Sequence, residues 1–345
     1  MMVLSKRYSD DGKPSIKLTK KQNETKNRVK EKEKTGYYSF HKISCECGNK
    51  TDFDIIAQKD RYGLSIQTCI CKNCGLILSN PAYDQDSLNK FYDEDYRDLY
   101  VPSDGPNEQF FMDQYRHGIE IGKFINTYIQ LDQNKAVLEI GTGAGGILKA
   151  ISDMYNAKVV GIDLGGEYIE YGKQHGLNLY KHNSATYSQT GQKFDVIILS
   201  HVIEHFLDLN SELEHIKKLL KPNGIIYIEV PGIKYTYITY GTLIRSIQNA
   251  HIRYFSLDTL KQILGWYGYK CIKGDESIKA LFLISDNANK NIIHNYYTEL
   301  LNFLLKHERI YLWHVGVRRL LLIERGAKQK IHNYFIGEIK NDKSV

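Results

Sequence analysis

The chain has 345 residues, is 42% hydrophobic and carries a formal net charge of +6, enough apolar content for one large core and a small accessory module. No apolar run approaches the roughly 18 residues that span a bilayer, and the first residues lack the apolar stretch of a secretory leader, so no membrane span is expected and the location expected is cytoplasmic. Five of the six cysteines, Cys45, Cys47, Cys69, Cys71 and Cys74, crowd into about thirty residues, which in such a compartment points to metal and away from disulfides.

Residues 1–35 hold eleven Lys/Arg against five Asp/Glu, which accounts for the whole net charge. Residues 1–36 show neither helical nor strand periodicity, so a disordered basic tail is expected there. A solvated tail is the favoured reading of such a run, ahead of a nucleic-acid or anionic-membrane contact. Residues 37–85 read as short strands between two cysteine knuckles, Cys45-x-Cys47 and Cys71-x-x-Cys74. Four thiolates can close a tetrahedral zinc, with Gly48 and Gly75 in the turns; such a site leaves no open position and is structural. Cys69 is a rival to Cys71 as ligand. Residues 86–135 read as a helical linker or lid: a polar helix and an aromatic-rich loop over Asp86–Tyr100, then a helix over Phe110–Leu131.

From 136 to 287 strands and helices alternate. Strands are expected near 136–140, 158–163, 177–181, 194–200 and 224–230, the last entered through the turn Pro222-Asn223-Gly224. A helix over Leu257–Trp266 and closing strands at Tyr269–Ile272 and Lys279–Ser285 complete the unit. This alternation predicts an α/β fold with a mostly parallel sheet covered on both faces. Residues 288–345 carry two expected helices, about 290–306 and 309–325. In the second, Ile310, Trp313, Val317, Leu320 and Leu321 share a face while Arg309, Arg318, Arg319 and Arg325 lie mostly off it. Docking on the core or on a second copy, as a homodimer, is favoured over peripheral membrane contact.

The segments that carry chemistry come in a fixed order: Ala136–Gly146 (AVLEIGTGAGG), Val159–Leu164 (VVGIDL), Phe194–His205 (FDVIILSHVIEH) and Leu220–Pro231 (LLKPNGIIYIEVP). An apolar strand running through an acid into glycines can turn tightly and bring its backbone against a ligand. About twenty residues on, Asp163 ends a second strand, where a carboxylate can take the ribose hydroxyls of a nucleoside. The loop lacks Gly-Lys-Ser/Thr, which argues against a phosphate cradle, and a nicotinamide site would prefer a longer glycine spacing.

Over about 136–285 these ordered motifs resemble the class I S-adenosylmethionine-dependent methyltransferases, a Rossmann-like fold, in the branch whose fourth strand runs into an HVIEH-type segment. The run CGLILSNPAYDQDSLNKFY after the second knuckle is similar to the zinc ribbon that precedes the catalytic domain in many bacterial sugar- and polysaccharide-modifying methyltransferases. The resemblance implies that S-adenosylmethionine lies against Gly141, Gly143 and Gly145, with Glu139 supporting the loop, Asp163 on the ribose, and Thr142, Leu164 and Ser200 beside them. Where relatives place an acid near the adenine, this chain has Asn183-Ser184 and no carboxylate.

Methyl transfer needs alignment and, for a hydroxyl acceptor, removal of a proton. His201, Glu204 and His205 end strand four beside strand one, and His251 belongs to a segment that in the resembling family overlies the same mouth. His205 and His251 are the first candidates for the base. Tyr235, Tyr237, Tyr240 and Tyr254 could line an acceptor site or only pack. The expected acceptor is a hydroxyl of a sugar, nucleotide-sugar or surface polysaccharide, implied by the resemblance of the ribbon and the HVIEH arrangement. An RNA methyltransferase, with ribbon and basic tail holding nucleic acid, is the first rival, disfavoured because strand four is not followed by Asn/Asp-Pro-Pro-aromatic and no Pro-Cys pair is present. A non-catalytic cofactor-binding scaffold is the second.

Overall fold

The computed structural model describes residues 3–101, 105–285, 293–311 and 313. From the amino end, α1 (Lys20–Lys34) leads to β1 (Phe40–His41), β2 (Phe53–Lys59), β3 (Ser65–Cys71), β4 (Ile77–Ser79), β5 (Ala82–Tyr83), α2 (Gln85–Glu94), α3 (Tyr96–Tyr100) and α4 (Glu108–Asn126). The core continues with β6 (Ala136–Ile140), α5 (Gly146–Tyr155), β7 (Lys158–Asp163), α6 (Gly166–Gln174), β8 (Leu179–Lys181), α7 (Ser184–Tyr187), β9 (Phe194–Ser200), α8 (Leu209–Leu219) and β10 (Leu220–Glu229). It closes with α9 (Ile233–Tyr240), β11 (Arg253–Tyr254), α10 (Leu257–Trp266), β12 (Tyr269–Gly274) and β13 (Lys279–Ile284).

The main sheet runs β12-β13-β10-β9-β6-β7-β8, parallel from β10 to β8, with β13 antiparallel to both its neighbours. Strand alternation sends Leu138, Ile197 and Ile226 to one face, under α8 and α10, and Val137, Val196 and Ile225 to the other, under α4 and α5. Burial on both faces is why these strands read as continuous apolar runs. The turn at Pro222-Asn223-Gly224 survives as a register shift between Leu220 and Ile225 with Asn223 at φ 62°. Sheet order reverses between β6 and β9, the crevice where open α/β sheets bind ligands.

A second sheet, β11-β4-β3-β2, crosses the expected boundary between ribbon and core, because Arg253 pairs with Leu78 and Tyr254 with Ile77. α4 is not a lid. Its Phe111, Ile121 and Ile125 are buried with α5, and a Cβ at Gly118 would lie 2.6 Å from the Ile147 Cα, so glycine permits the close approach. The aromatic-rich stretch expected as a loop forms the short helix α3.

The expectation of disorder over 1–36 is corrected. α1 opens with a Thr19–Gln22 capping box and buries Val29. Its cations are anchored from α2 and α3: Lys32 Nζ lies 2.7 Å from Asp95 Oδ2 and Arg28 Nε 2.6 Å from Asp95 Oδ1. One apolar residue leaves no periodicity to read, and the partners lie more than sixty residues away. Further upstream, Tyr8 is fully buried against Tyr237 and Thr242, and Arg7 pairs with Glu308.

Residues 297–311 form one helix, with no break where two were expected. Leu300, Leu301 and Leu304 pack with Leu4, Ile56 and Tyr237 on the second sheet's side, so this helix docks on its own chain. Most of the expected helix 309–325, with Val317, Leu320, Leu321, Arg318, Arg319 and Arg325, lies outside the described residues. No helix among the described residues is long and apolar enough to cross a membrane.

Candidate functional site

Gly141, Gly143 and Gly145 turn the chain from β6 into α5 with φ of 74°, 56° and 83°, a region costly for any residue with a Cβ. Glu139, buried beneath the turn, accepts a 2.8 Å hydrogen bond from Thr142 Oγ1, and burial pushes its pKa up to about 8. Asp163, at the carboxyl end of β7, holds the rim: its Oδ2 accepts from Gly143 N at 2.9 Å and its Oδ1 from Gly165 N at 2.7 Å. Leu164 is well exposed beside it. The structure thus brings the glycine loop, Asp163 and Leu164 to one rim at the switch point. Ser200 ends β9 there, with its Oγ 3.5 Å from Glu229 Oε2.

Asn183 and Ser184 are engaged with the protein itself. The Asn183 side chain caps α7 by accepting from Thr186 N, and the buried Ser184 hydroxyl donates to Glu212 on α8. No carboxylate belongs to this stretch of the chain, and the one that meets Ser184 comes from α8.

At the end of β9, His201 takes φ 56°, a strained value for a side chain with a Cβ, and stands half exposed. Its Nδ1 lies 3.6 Å from Glu204 Oε1. Partial burial opposes its charge, but Glu204 outweighs this and holds the His201 pKa above the ordinary value. Glu204 itself is buried in a 3-10 turn over Ile203–His205. His205 Nδ1 donates to the Ala250 carbonyl at 3.0 Å and meets the Tyr92 hydroxyl at 2.8 Å. Its ring stands 4.7 Å from that of His251. Burial lowers the pKa of both His205 and His251. All four predicted residues converge, but His251 is only 4% exposed.

Of the four tyrosines, Tyr235 and Tyr240 are exposed, whereas Tyr237 and Tyr254 are buried and bonded to Tyr8 and to Ser79 and Gln248. The latter two are packing residues. Sequence reading missed other groups around the crevice. Arg97 of α3 lies 3.7 Å from Asp163 and stacks 3.8 Å from the Tyr168 ring. Tyr92 and Tyr96 wall His205. His117 of α4 donates from Nε2 to Glu229 at 2.7 Å; burial favours the neutral carboxyl, yet His117 overrides it and the Glu229 pKa falls. The tyrosine density of residues 92–100 was a visible signal for that wall. No local signal marked His117.

Cys45, Cys47, Cys71 and Cys74 bring their sulfurs within 4.8 Å of one another, with Cys45–Cys74 and Cys47–Cys71 at 3.5 Å. Sulfurs around a tetrahedral zinc lie about 3.8 Å apart for Zn–S of about 2.3 Å, so the four residues fit that ion. Cys69 is outside the group and points its thiol at the Asn80 carbonyl. Between the first two cysteines, Glu46 accepts a 2.8 Å hydrogen bond from Arg253 Nε, which ties the knuckle to β11.

Residues 113–273 match a family model described as a methyltransferase domain. Ubiquinone biosynthesis O-methyltransferases of Haemophilus ducreyi and Pelagibacter ubique are similar: 35% identical over 120 residues, 29% of this chain and 49% of the relative, and 38% over 101 residues, 28% and 42%. The chain spans about half the length of the curated relatives it matches. A solved S-adenosylmethionine-dependent methyltransferase from Archaeoglobus fulgidus is 20% identical with a TM-score of 0.39, over 59% of this chain and 94% of that one. The strand order and the matched region together give the Rossmann-like class I methyltransferase fold.

Proposed function

We propose, from the methyltransferase domain that residues 113–273 match, that this chain is an S-adenosylmethionine-dependent O-methyltransferase. The observation that carries the reading is one crevice holding a positive-φ glycine loop, the Asp163 carboxylate that grips it, and the His201–Glu204 pair one strand away. S-adenosylmethionine supplies an electrophilic methyl group when bound. Gly141, Gly143 and Gly145 would admit its amino-acid part, Asp163 its ribose, and Leu164 an apolar face of the adenine, with Thr142 and Glu139 holding the loop from below. Ser200 and Asn183 remain rim residues, Asn183 with its side chain capping α7, and Ser184 is buried and bonded to Glu212.

The acceptor we propose is a hydroxyl of a sugar, nucleotide-sugar or surface polysaccharide, on the resemblance of the ribbon and core segments. The oxygen's lone pair attacks the methyl carbon, the carbon–sulfur electrons return to sulfur, and the hydroxyl proton leaves. His201 is the exposed member of the cluster and faces the mouth; Glu204 behind its Nδ1 favours the protonated ring, as a base requires once loaded. The cysteine cluster would hold a structural zinc.

The test is incubation of the protein with methyl-labelled S-adenosylmethionine and a panel of nucleotide-sugars, oligosaccharides and phenols. Label in a carbohydrate supports the full proposal. Label in a phenol alone keeps O-methylation and overturns the sugar. No S-adenosylhomocysteine binding by calorimetry overturns both.

A further inference from the structure

Glu204 is a buried carboxylate without a hydrogen bond among the described residues. The side chain is 2% exposed. His201 Nδ1 at 3.6 Å and His251 Nε2 at 3.9 Å are too far for hydrogen bonds, and His251 Nε2 itself touches the Gln248 amide nitrogen. A carboxylate left so inside a protein is costly unless a cation meets it.

One ligand atom each from Glu204, His205 and His251 lie within 4.8 Å of one another. Donors around a divalent ion at about 2.1 Å stand roughly 3–4.2 Å apart, so a small inward shift, with the Gln248 amide turned away from His251 Nε2, would close the set. The main chain holds the group together: Ile252 N donates to the Glu204 carbonyl at 2.8 Å, and Ser79 Oγ donates to the His251 carbonyl at 2.8 Å. The Ala250 carbonyl can only accept, so His205 carries its proton on Nδ1 and leaves the Nε2 lone pair free.

We propose that Glu204, His205 and His251 bind one divalent first-row transition cation, chemically separate from the four-thiolate cluster. Two imidazoles and a carboxylate suit such an ion and leave positions open. His201, the exposed neighbour of Glu204, stands beside the same group. An acceptor hydroxyl bound there would be oriented and made easier to deprotonate. That role rests on the methyl-transfer reading; the binding itself does not.

The probes are Mn2+ alone, which thiolates bind poorly, and Zn2+ alone. Mn2+ is followed by electron paramagnetic resonance and calorimetry, and zinc by elemental analysis after dialysis. Wild type should hold one equivalent of at least one probe more than Glu204→Gln and His251→Asn, or bind it at least tenfold more tightly, with a rise in melting temperature that both variants lack. Both variants should bind S-adenosylhomocysteine within about threefold of wild type, which separates lost ligands from lost fold. Equal uptake of both probes in wild type and variants overturns the site. Wild-type protein that binds the cation but not S-adenosylhomocysteine supports the site and overturns the methyl-transfer reading instead.

Discussion

Gly143 and Asp163 carry the strongest residue-level expectations. Gly143 has φ 56°, and a Cβ there would lie 2.9 Å from Gln114 Nε2, so valine adds strain and fills the approach to the loop. Asp163→Ala removes the acceptor of two backbone hydrogen bonds, each worth about 1.5–3 kcal/mol when one partner is charged. Calorimetry should show S-adenosylhomocysteine affinity at least tenfold weaker in both variants, with melting curves still cooperative; near wild-type affinity would remove these residues from the pocket. At the neighbouring strand end, His201→Ala and His205→Ala should lower single-turnover rates by about 10²–10⁴ while cofactor affinity stays within a few fold. Wild-type rates in both would leave methyl transfer to proximity alone.

Among the elements, α1 shows how a helix without an apolar face is kept. Asp95 is fully buried and receives Arg28 and Lys32 from α1 and Tyr38 from the segment after it. Burial alone would raise its pKa, but the bonds from Lys32, Tyr38 and Arg28 prevail and hold it below 3.8. A depressed folded pKa means this stabilisation is complete above the unfolded value and is lost as pH falls through the folded one. Hydrogen exchange over residues 20–34 should therefore quicken below about pH 4 before the main sheet opens. Asp95→Ala should produce the same release at neutral pH and destabilise the chain by about 1.5–3 kcal/mol. Unchanged protection of α1 in that variant would mean that Val29 packing suffices.

On the scale of the whole molecule, ribbon and core are one structure. β11 follows the core's fifth strand in sequence but pairs with β4 of the ribbon, and the buried Glu46–Arg253 pair fastens the knuckle to the segment that carries His251. Cys74→Ser should abolish a zinc content of about one ion per chain, lower the melting temperature, and reduce turnover more than S-adenosylhomocysteine binding, because β6 and β7 lie outside the ribbon sheet. Metal analysis and calorimetry on the same sample measure all of this. A zinc-free wild type would leave the cysteines as packed thiols, and equal loss of binding and turnover would point to global unfolding.

Much of this was legible from order and periodicity. Runs such as Val196–Leu199 and Ile225–Ile228 need burial on both faces, and glycines after Ile140 need a backbone that only glycine adopts cheaply, so the sheet and the loop on it follow from local chemistry. The cysteine spacing likewise marked the knuckles, and the four sulfurs meet without Cys69. Partners distant in the chain were another matter. That Asp95 would fix α1, that Glu212 would meet Ser184, and that His117 would reach Glu229 depend on contacts across 28 to 112 residues, for which a linear pattern carries no signal. His251 is the clearest instance: its sequence neighbourhood pointed to the mouth, but its burial goes with the pairing of the adjacent β11 to β4. Residue type and spacing determine which chemistry is available; only the pairing of distant segments decides which charges are exposed, which are matched, and which, like Glu204, are buried without a hydrogen bond among the described residues.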